Sequence, residues 1–257
     1  MSTEPDPLVL RDDVDGVTTL TLNRPEKLNA LNVALFQALR QHLEALARDE
    51  TVRCVVVTGA GRSFCAGHDL AGITSGERAP TRHFEPETID LLEALVVPTV
   101  AKIRGHCFTG GLELALACDL MISSDTTKFG DTHGQWGLAP IWGMSIRLPE
   151  RVGVARAKEL MFTSRRIDAE YALSIGLVDA VHTDVLLDTA VAALATEIVI
   201  NSAGTNRIVK QLLAARTTMS RQDSLQFERS MPFGMPSDAA ERLANGGRSG
   251  SSEKKSP

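Results

Sequence analysis

Short β-branched runs alternate with longer stretches of helical periodicity across residues 17–181, and this alternation constrains the fold more than any other feature. Val17-Thr-Thr-Leu-Thr-Leu22 alternates apolar and polar positions, the period of a strand. Asn32 then reads as an N-cap, and Leu35, Leu39, Leu43 and Leu46 recur on one face of a helix over 33–48. Residues 54–58 are a continuous apolar run ending at Gly59, as expected of a strand buried on both faces. The pattern recurs as a strand over 99–103, a helix over 110–118 and a strand over 120–123. A helical pattern follows Pro149 through residue 161. Asp168 caps a further helix over 169–174 that Gly176 stops, and 177–181 reads as a strand. The expectation is an α/β fold with parallel pairing.

After about residue 184 the texture changes. Residues 185–219 are almost all helix-forming, a weaker helical stretch runs over 221–243, and the Gly, Ser and Lys of 245–257 predict a disordered tail. The organisation expected is an α/β core over 1–195, a helical region over 196–244 and that tail. A chain of 257 residues that is 43% hydrophobic and 23% charged can build a substantial core. Its formal net charge of −5 argues against a nucleic-acid partner, which selects for a basic face.

No apolar run reaches the length of a membrane span. The acidic residues 1–15 lack the basic start and apolar stretch of a signal peptide, so a cytoplasmic location is expected. Cys54, Cys65, Cys107 and Cys118 have no CxxC spacing and sit in apolar company, which predicts reduced, buried thiols and no metal site.

Two segments carry more than scaffold. Gly59-Ala-Gly-Arg-Ser-Phe-Cys-Ala-Gly-His-Asp-Leu70 follows the buried strand, and Gly105-His-Cys-Phe-Thr-Gly-Gly-Leu-Glu-Leu-Ala115 joins a strand to a helix. Backbone N–H groups left free at such turns favour negative charge, and two of them could share one carbonyl oxygen as an oxyanion hole. The same glycines also suit plain tight turns. Neither segment matches the dinucleotide pattern GxGxxG or the P-loop, and no GxSxG elbow supports a serine hydrolase. Glu113 lies one helical turn after Gly110 among Leu112, Leu114, Ala115 and Leu116. Such surroundings raise a carboxyl's pKa toward the range useful for acid–base catalysis, although a glutamate near a helix start is also favourable without any such role.

Together with Asn23-Arg-Pro-Glu-Lys-Leu-Asn-Ala-Leu-Asn32, Phe129-Gly130, Gly137-Leu-Ala-Pro140, Arg147-Leu-Pro149, Arg151-Val-Gly153, Ile167-Asp-Ala169 and Gly176-Leu-Val178, these segments resemble the enoyl-CoA hydratase/isomerase (crotonase) family over most of the chain. The resemblance implies a crotonase-like α/β spiral of repeated ββα units, with a C-terminal helical region that builds a homotrimer or a dimer of trimers. It implies an acyl-CoA thioester substrate and no separate cofactor, because CoA is part of the substrate. The thioester oxygen would be held by the backbone N–H groups of His68 and Gly110. CoA would lie against Lys27, Leu28, Ala30, Ala66, Asp69 and Leu70, with Arg24 and Lys27 either as phosphate partners or as solvated charges.

One departure bears on the chemistry. Family hydratases place a second glutamate twenty residues after the first; Glu113 matches the first, and His133 stands at the second position. Imidazole exchanges protons near neutrality, and Asp131 is close enough in sequence to orient it. A histidine in a Gly- and Trp-rich loop is also commonly structural. The reaction expected is hydration of a 2-enoyl-CoA, with isomerisation, decarboxylation or hydrolysis as alternatives. A non-catalytic acyl-CoA binder is disfavoured by the presence of Glu113.

Overall fold

The chain enters its main sheet as a hairpin. In the computed structural model, which describes residues 6–247, β1 (Val9–Val14) and β2 (Val17–Leu22) join across Asp15–Gly16, whose φ values of 50° and 81° match the twist of the strands. Helix α1 (Val33–Leu46) leads to β3 (Cys54–Gly59), and α2 (Leu70–Ser75) and α3 (Phe84–Glu93) lead to β4 (Thr99–Ile103). With β6 (Leu120–Ser124) and β9 (Ala180–His182), the main sheet runs β1-β2-β3-β4-β6-β9, parallel from β2 onward.

A second sheet, ordered β5-β7-β8, is made by β5 (His106–Phe108), β7 (Lys128–Gly130) and β8 (Ile167–Asp168). Two successive units step from one sheet to the other. Strands β4 and β5 are followed by α4 (Gly110–Leu116), and β6 and β7 by α5 (His133–Trp136), which is the ββα repeat the resemblance implies.

Strand β3 has no polar alternation because both of its faces are covered. On one side Leu35, Phe36, Leu39 and Leu43 of α1 pack in the core with Leu20, Leu22, Val55 and Val57. On the other, Leu187, Val191 and Ala195 of α9 (Leu187–Ile200) meet Cys54, Val56, Val100 and Ile122. The boundary expected between residues 195 and 196 therefore falls inside a helix that packs against the sheet over most of its length. Ser202 ends the turn after α9 by accepting a hydrogen bond from Thr205 N–H, which opens α10 (Ala203–Ala215). No single helix among the described residues is long and apolar enough to cross a membrane.

Three local expectations are corrected. The helical pattern after Pro149 is the end of one helix and the whole of another: α6 (Met144–Val152) contains Pro149, and α7 (Val154–Thr163) follows the break at Gly153, φ 79°. Helix α6 starts early because Gly143, φ 108°, turns the chain so that its carbonyl receives Ile146 and Arg147 N–H. The strand expected at 177–181 begins only at Ala180, since Leu177 N–H is spent on the C-terminal cap of α8 (Ala169–Ser174), bonding Ala172 O. The weak helical stretch over 221–243 divides into α11 (Arg221–Arg229) and α12 (Ala239–Ala244). The tail expected from 245 lies, from 248 on, outside the described residues.

Candidate active site

His68 is held like a strand residue. Leu31 N–H bonds Gly67 O and Asp69 N–H bonds Leu31 O, both at 2.8 Å. A strand residue flanked in this way points its own N–H to the opposite side. The segment behind it is tied to β5, with Cys65 N–H bonding His106 O and Phe108 N–H bonding Cys65 O. Gly67, φ 105°, lets the two segments close up: a Cβ there would sit 3.0 Å from Phe108 O and 3.6 Å from Gly110 N.

Gly110 opens α4, so its N–H has no intrahelical acceptor. A Cβ on Gly110 would collide with the Trp142 ring and lie 3.4 Å from His68 N, so the two expected oxyanion donors border one small space. The His68 imidazole packs on Trp142 with ring centroids 4.8 Å apart, and burial pushes its pKa down against the opposing pull of Glu77 and Asp69.

Thr109, just before α4, is a non-glycine residue held at φ 49° and ψ −113°. Its N–H bonds Gly130 O at 2.8 Å, and its hydroxyl shares a 2.5 Å hydrogen bond with Thr132 while accepting Thr132 N–H at 3.1 Å. Strain of this kind persists only where surrounding bonds over-determine it. Here those bonds fix Gly110 relative to α5, which carries His133.

Glu113 is 1% exposed. Its Oε1 accepts the N–H groups of Trp142 (3.1 Å) and Met144 (3.0 Å), which leaves Oε2 facing His133 Nε2 at 3.8 Å. Burial pushes the carboxyl up to about 7, against the opposing pull of the two N–H donors and of His133. His133 is nearly as buried, and its Nδ1 meets Asp131 Oδ1 at 2.5 Å. Burial alone would lower the imidazole pKa; the Asp131 hydrogen bond and the charges of Asp131 and Glu113 outweigh it, and the net shift is upward. The three side chains thus form a buried line, Asp131–His133–Glu113, which can hold and pass a proton.

Of the expected CoA-contact residues, Leu28, Ala66 and Leu70 form one wall. Leu28 and Asn29 both adopt positive φ, 51° and 56°. The buried Asn29 amide locks that turn, accepting Arg24 N–H and donating to Ala60 O and Ser63 O. Leu28 O in turn receives Ala66 N–H at 3.0 Å. Leu28, Ala66, His68 and Leu70 line a cleft of about 300 Å³ whose far side includes Thr109, Thr132 and Arg166.

Arg24 does not reach out as a phosphate partner would. Its guanidinium bonds Ala30 O at 2.6 Å and Asp69 at 2.9 Å, so Arg24, Ala30 and Asp69 brace the wall from within. Lys27 stays exposed. The sequence gives no sign of the roles of Trp142 and Met144, and Asn29 appears in it only as part of the 23–32 segment. Trp142 and Met144 act through backbone N–H groups that carry no residue signature, and Asn29 is a residue type that tolerates the positive φ it adopts here.

The model of the family described as enoyl-CoA hydratase/isomerase matches residues 12–257. The chain belongs to that family. It is an enzyme of the hydratase/isomerase type with the crotonase fold. A probable enoyl-CoA hydratase of Mycobacterium bovis is 35% identical over 227 residues, covering 87% of both chains. A short-chain-enoyl-CoA hydratase of Clostridium acetobutylicum is 33% identical over 88% of both. The crystal structure of an enoyl-CoA hydratase from Bacillus anthracis superposes with a TM-score of 0.83 at 33% identity, over 87% of this chain and 88% of that one. A putative enoyl-CoA hydratase from Thermobifida fusca, solved in complex with acetoacetyl-CoA, gives 0.82 at 30% identity over 93% and 96%.

Proposed function

We propose that this enzyme hydrates 2-enoyl-CoA thioesters, with Glu113 and His133 sharing the proton transfers and the N–H groups of His68 and Gly110 holding the thioester oxygen. The observation that carries this reading is the pairing of Glu113 Oε2 with His133 Nε2 at 3.8 Å, one helical turn from Gly110. That separation is too long for a direct hydrogen bond. It suits one water bonded to both groups at about 2.8 Å.

In the reaction the water oxygen bonds to C3 and its proton passes to one member of the pair. The C2=C3 electrons move toward the thioester oxygen, where the two N–H groups offset the developing charge. The other member's proton then goes to C2, so the pair ends with the proton count it began with. Relatives solved with CoA and with acetoacetyl-CoA support an acyl-CoA thioester as ligand, and the cleft lined by Leu28, Ala66 and His68 is where we place its entry.

A second reading, thioester hydrolysis, is favoured by one observation: His133 backed by Asp131 at 2.5 Å is also how a general base for water is oriented. A panel of 2-enoyl-CoA, 3-enoyl-CoA and saturated acyl-CoA separates the two. Loss of the conjugated enoyl absorbance without release of free thiol is the expected result. Thiol release as the dominant signal would overturn hydration in favour of hydrolysis.

Assembly beyond the monomer belongs to the same proposal. Leu194 and Ile198 of α9 with Val209 and Leu213 of α10 line an apolar groove of about 520 Å³, and Val209 and Leu213 are 48% and 57% exposed. A homotrimer or dimer of trimers would cover it. Light scattering should give three or six times the chain mass; a stable monomer at micromolar concentration would sink this part of the reading.

A further inference from the structure

If Glu113 reacts through the oxygen facing His133, then the peptide at 142–144 decides which oxygen that is. Trp142 and Met144 N–H converge on Oε1, and their convergence needs the residue between them at φ 108°, which Gly143 supplies. Behind that peptide lies Arg147. Its Nη1 donates to Trp142 O at 2.8 Å, its own N–H bonds Gly143 O at 2.9 Å, and a Cβ on Gly143 would collide with Nη1. The guanidinium therefore lies directly against the turn.

The Arg147 side chain is only 9% exposed, and two carboxylates of α3 offset the cost of burying its charge: Glu93 at 2.5 Å and Asp90 at 2.7 Å from Nη2. An apolar side chain of similar volume would have filled this space without that desolvation. What the apolar side chain lacks is the fixed fork of donors, which here reaches a backbone carbonyl and two acids at once.

We propose that Arg147 is a positioning residue for the reaction: through Trp142 O it clamps the 142–144 peptide that holds Glu113 Oε1, leaving Oε2 to His133 and the substrate. This rests on the reading of Glu113 as an acid–base group. It also ties α3, through Asp90 and Glu93, to the reacting carboxylate. The charged and titratable groups facing Glu113 are His133 and Asp131, with His68 across the Trp142 ring; those facing Arg147 are Asp90 and Glu93.

The test compares Arg147→Met, Arg147→Lys and the double variant Asp90→Asn/Glu93→Gln. In Arg147→Met, kcat should fall by about 10–10²-fold with KM for the thioester nearly unchanged, the usual cost of a misplaced reacting group. The N–H donors favour the ionised carboxylate, so loosening them raises the Glu113 pKa and moves the acid limb of the rate profile to higher pH. Arg147→Lys should recover part of kcat, because an ammonium reaches the carbonyl or the acids but not both. The double variant, which keeps the bond to Trp142 O, should shift the limb in the same direction by less.

The carbon-13 titration of the Glu113 carboxyl, assigned by its loss in Glu113→Gln, reads the same shift without any turnover. Failure to hydrate any enoyl-CoA would thus remove the functional reading while the titration still decides the role of Arg147. Unchanged titration and unchanged kcat per folded molecule, with only a lower Tm, would overturn the proposal. If Arg147→Met does not fold, unchanged titration in both other variants overturns it equally.

Discussion

Glu113→Gln should lower turnover by about 10²–10⁴, the usual worth of a positioned acid or base, while the folded protein becomes more stable at alkaline pH. The two effects have one cause. Glutamine keeps a carbonyl oxygen for the N–H groups of Trp142 and Met144 and turns its amide toward His133, so the bonds that place the side chain survive. What it lacks is a group that can take up or release a proton near neutral pH.

The stability effect follows from the raised carboxyl, about 7 in the fold against an ordinary 4.5. A group whose folded pKa is raised contributes stability below its unfolded pKa, and that contribution is lost as pH rises through the folded value. The window is therefore from about 4.5 to 7, and above it the buried carboxylate costs on the order of 3 kcal/mol, which the neutral amide avoids. Melting both proteins at pH 5 and pH 8 should show a clearly larger gain for the variant at pH 8. Unchanged turnover in a folded Glu113→Gln variant would remove Glu113 from the mechanism. A gain equal at both pH values would mean that the carboxyl is not raised.

Glu113 was legible in the sequence because its evidence is local: one helical turn separates it from Gly110, and four apolar neighbours surround it. The same holds for β3, whose unbroken apolar run reports two covered faces, and for α8, whose cap is its own Asp168. Elements that depend on distant partners were not legible. Strands β5, β7 and β8 are two or three residues long and exist because they find one another, so no run of that length carries a period.

Helix α6 begins at a glycine turn rather than at its proline because Gly143 has the conformational freedom and Arg147 packs against it. The site divides in the same way. The expected oxyanion donors, His68 and Gly110, followed from the family resemblance carried by the glycine-rich turns, but the donors that aim Glu113 come from 29 and 31 residues further along the chain and are backbone groups. Arg24 shows the converse. Sequence allowed its charge to face a phosphate, and only the fold brings Asp69, 45 residues away, to meet it.

His133→Asn is the sharper probe of the second group. Alanine would leave Asp131, 1% exposed, with the backbone N–H of residue 133 but without its imidazole donor, and stripping a buried carboxylate of a partner costs stability whether or not His133 takes part in the reaction. Asparagine can place an N–H near the position of Nδ1 and keep Asp131 satisfied, while nothing remains at Nε2 to face Glu113. Turnover should then fall by about 10²–10⁴ with thioester binding intact and the Tm little changed.

The pH profile gives an independent reading. Glu113 and His133 titrate as a coupled pair, and hydration needs one proton on the pair: two leave no base for water, none leaves no acid for C2. The wild-type profile should therefore be a bell, with its acid limb where the second proton is taken up and its alkaline limb where the last is lost. His133→Asn should abolish the two-limbed form. Because both groups act on one water, the double variant with Glu113→Gln should be little worse than either single one. If His133 only props up its loop, the asparagine variant should turn over at the wild-type rate per folded molecule and keep both limbs; that result would withdraw His133 from the chemistry and leave Glu113 as a lone base, enough for moving a proton along an enoyl chain but not for adding water across it.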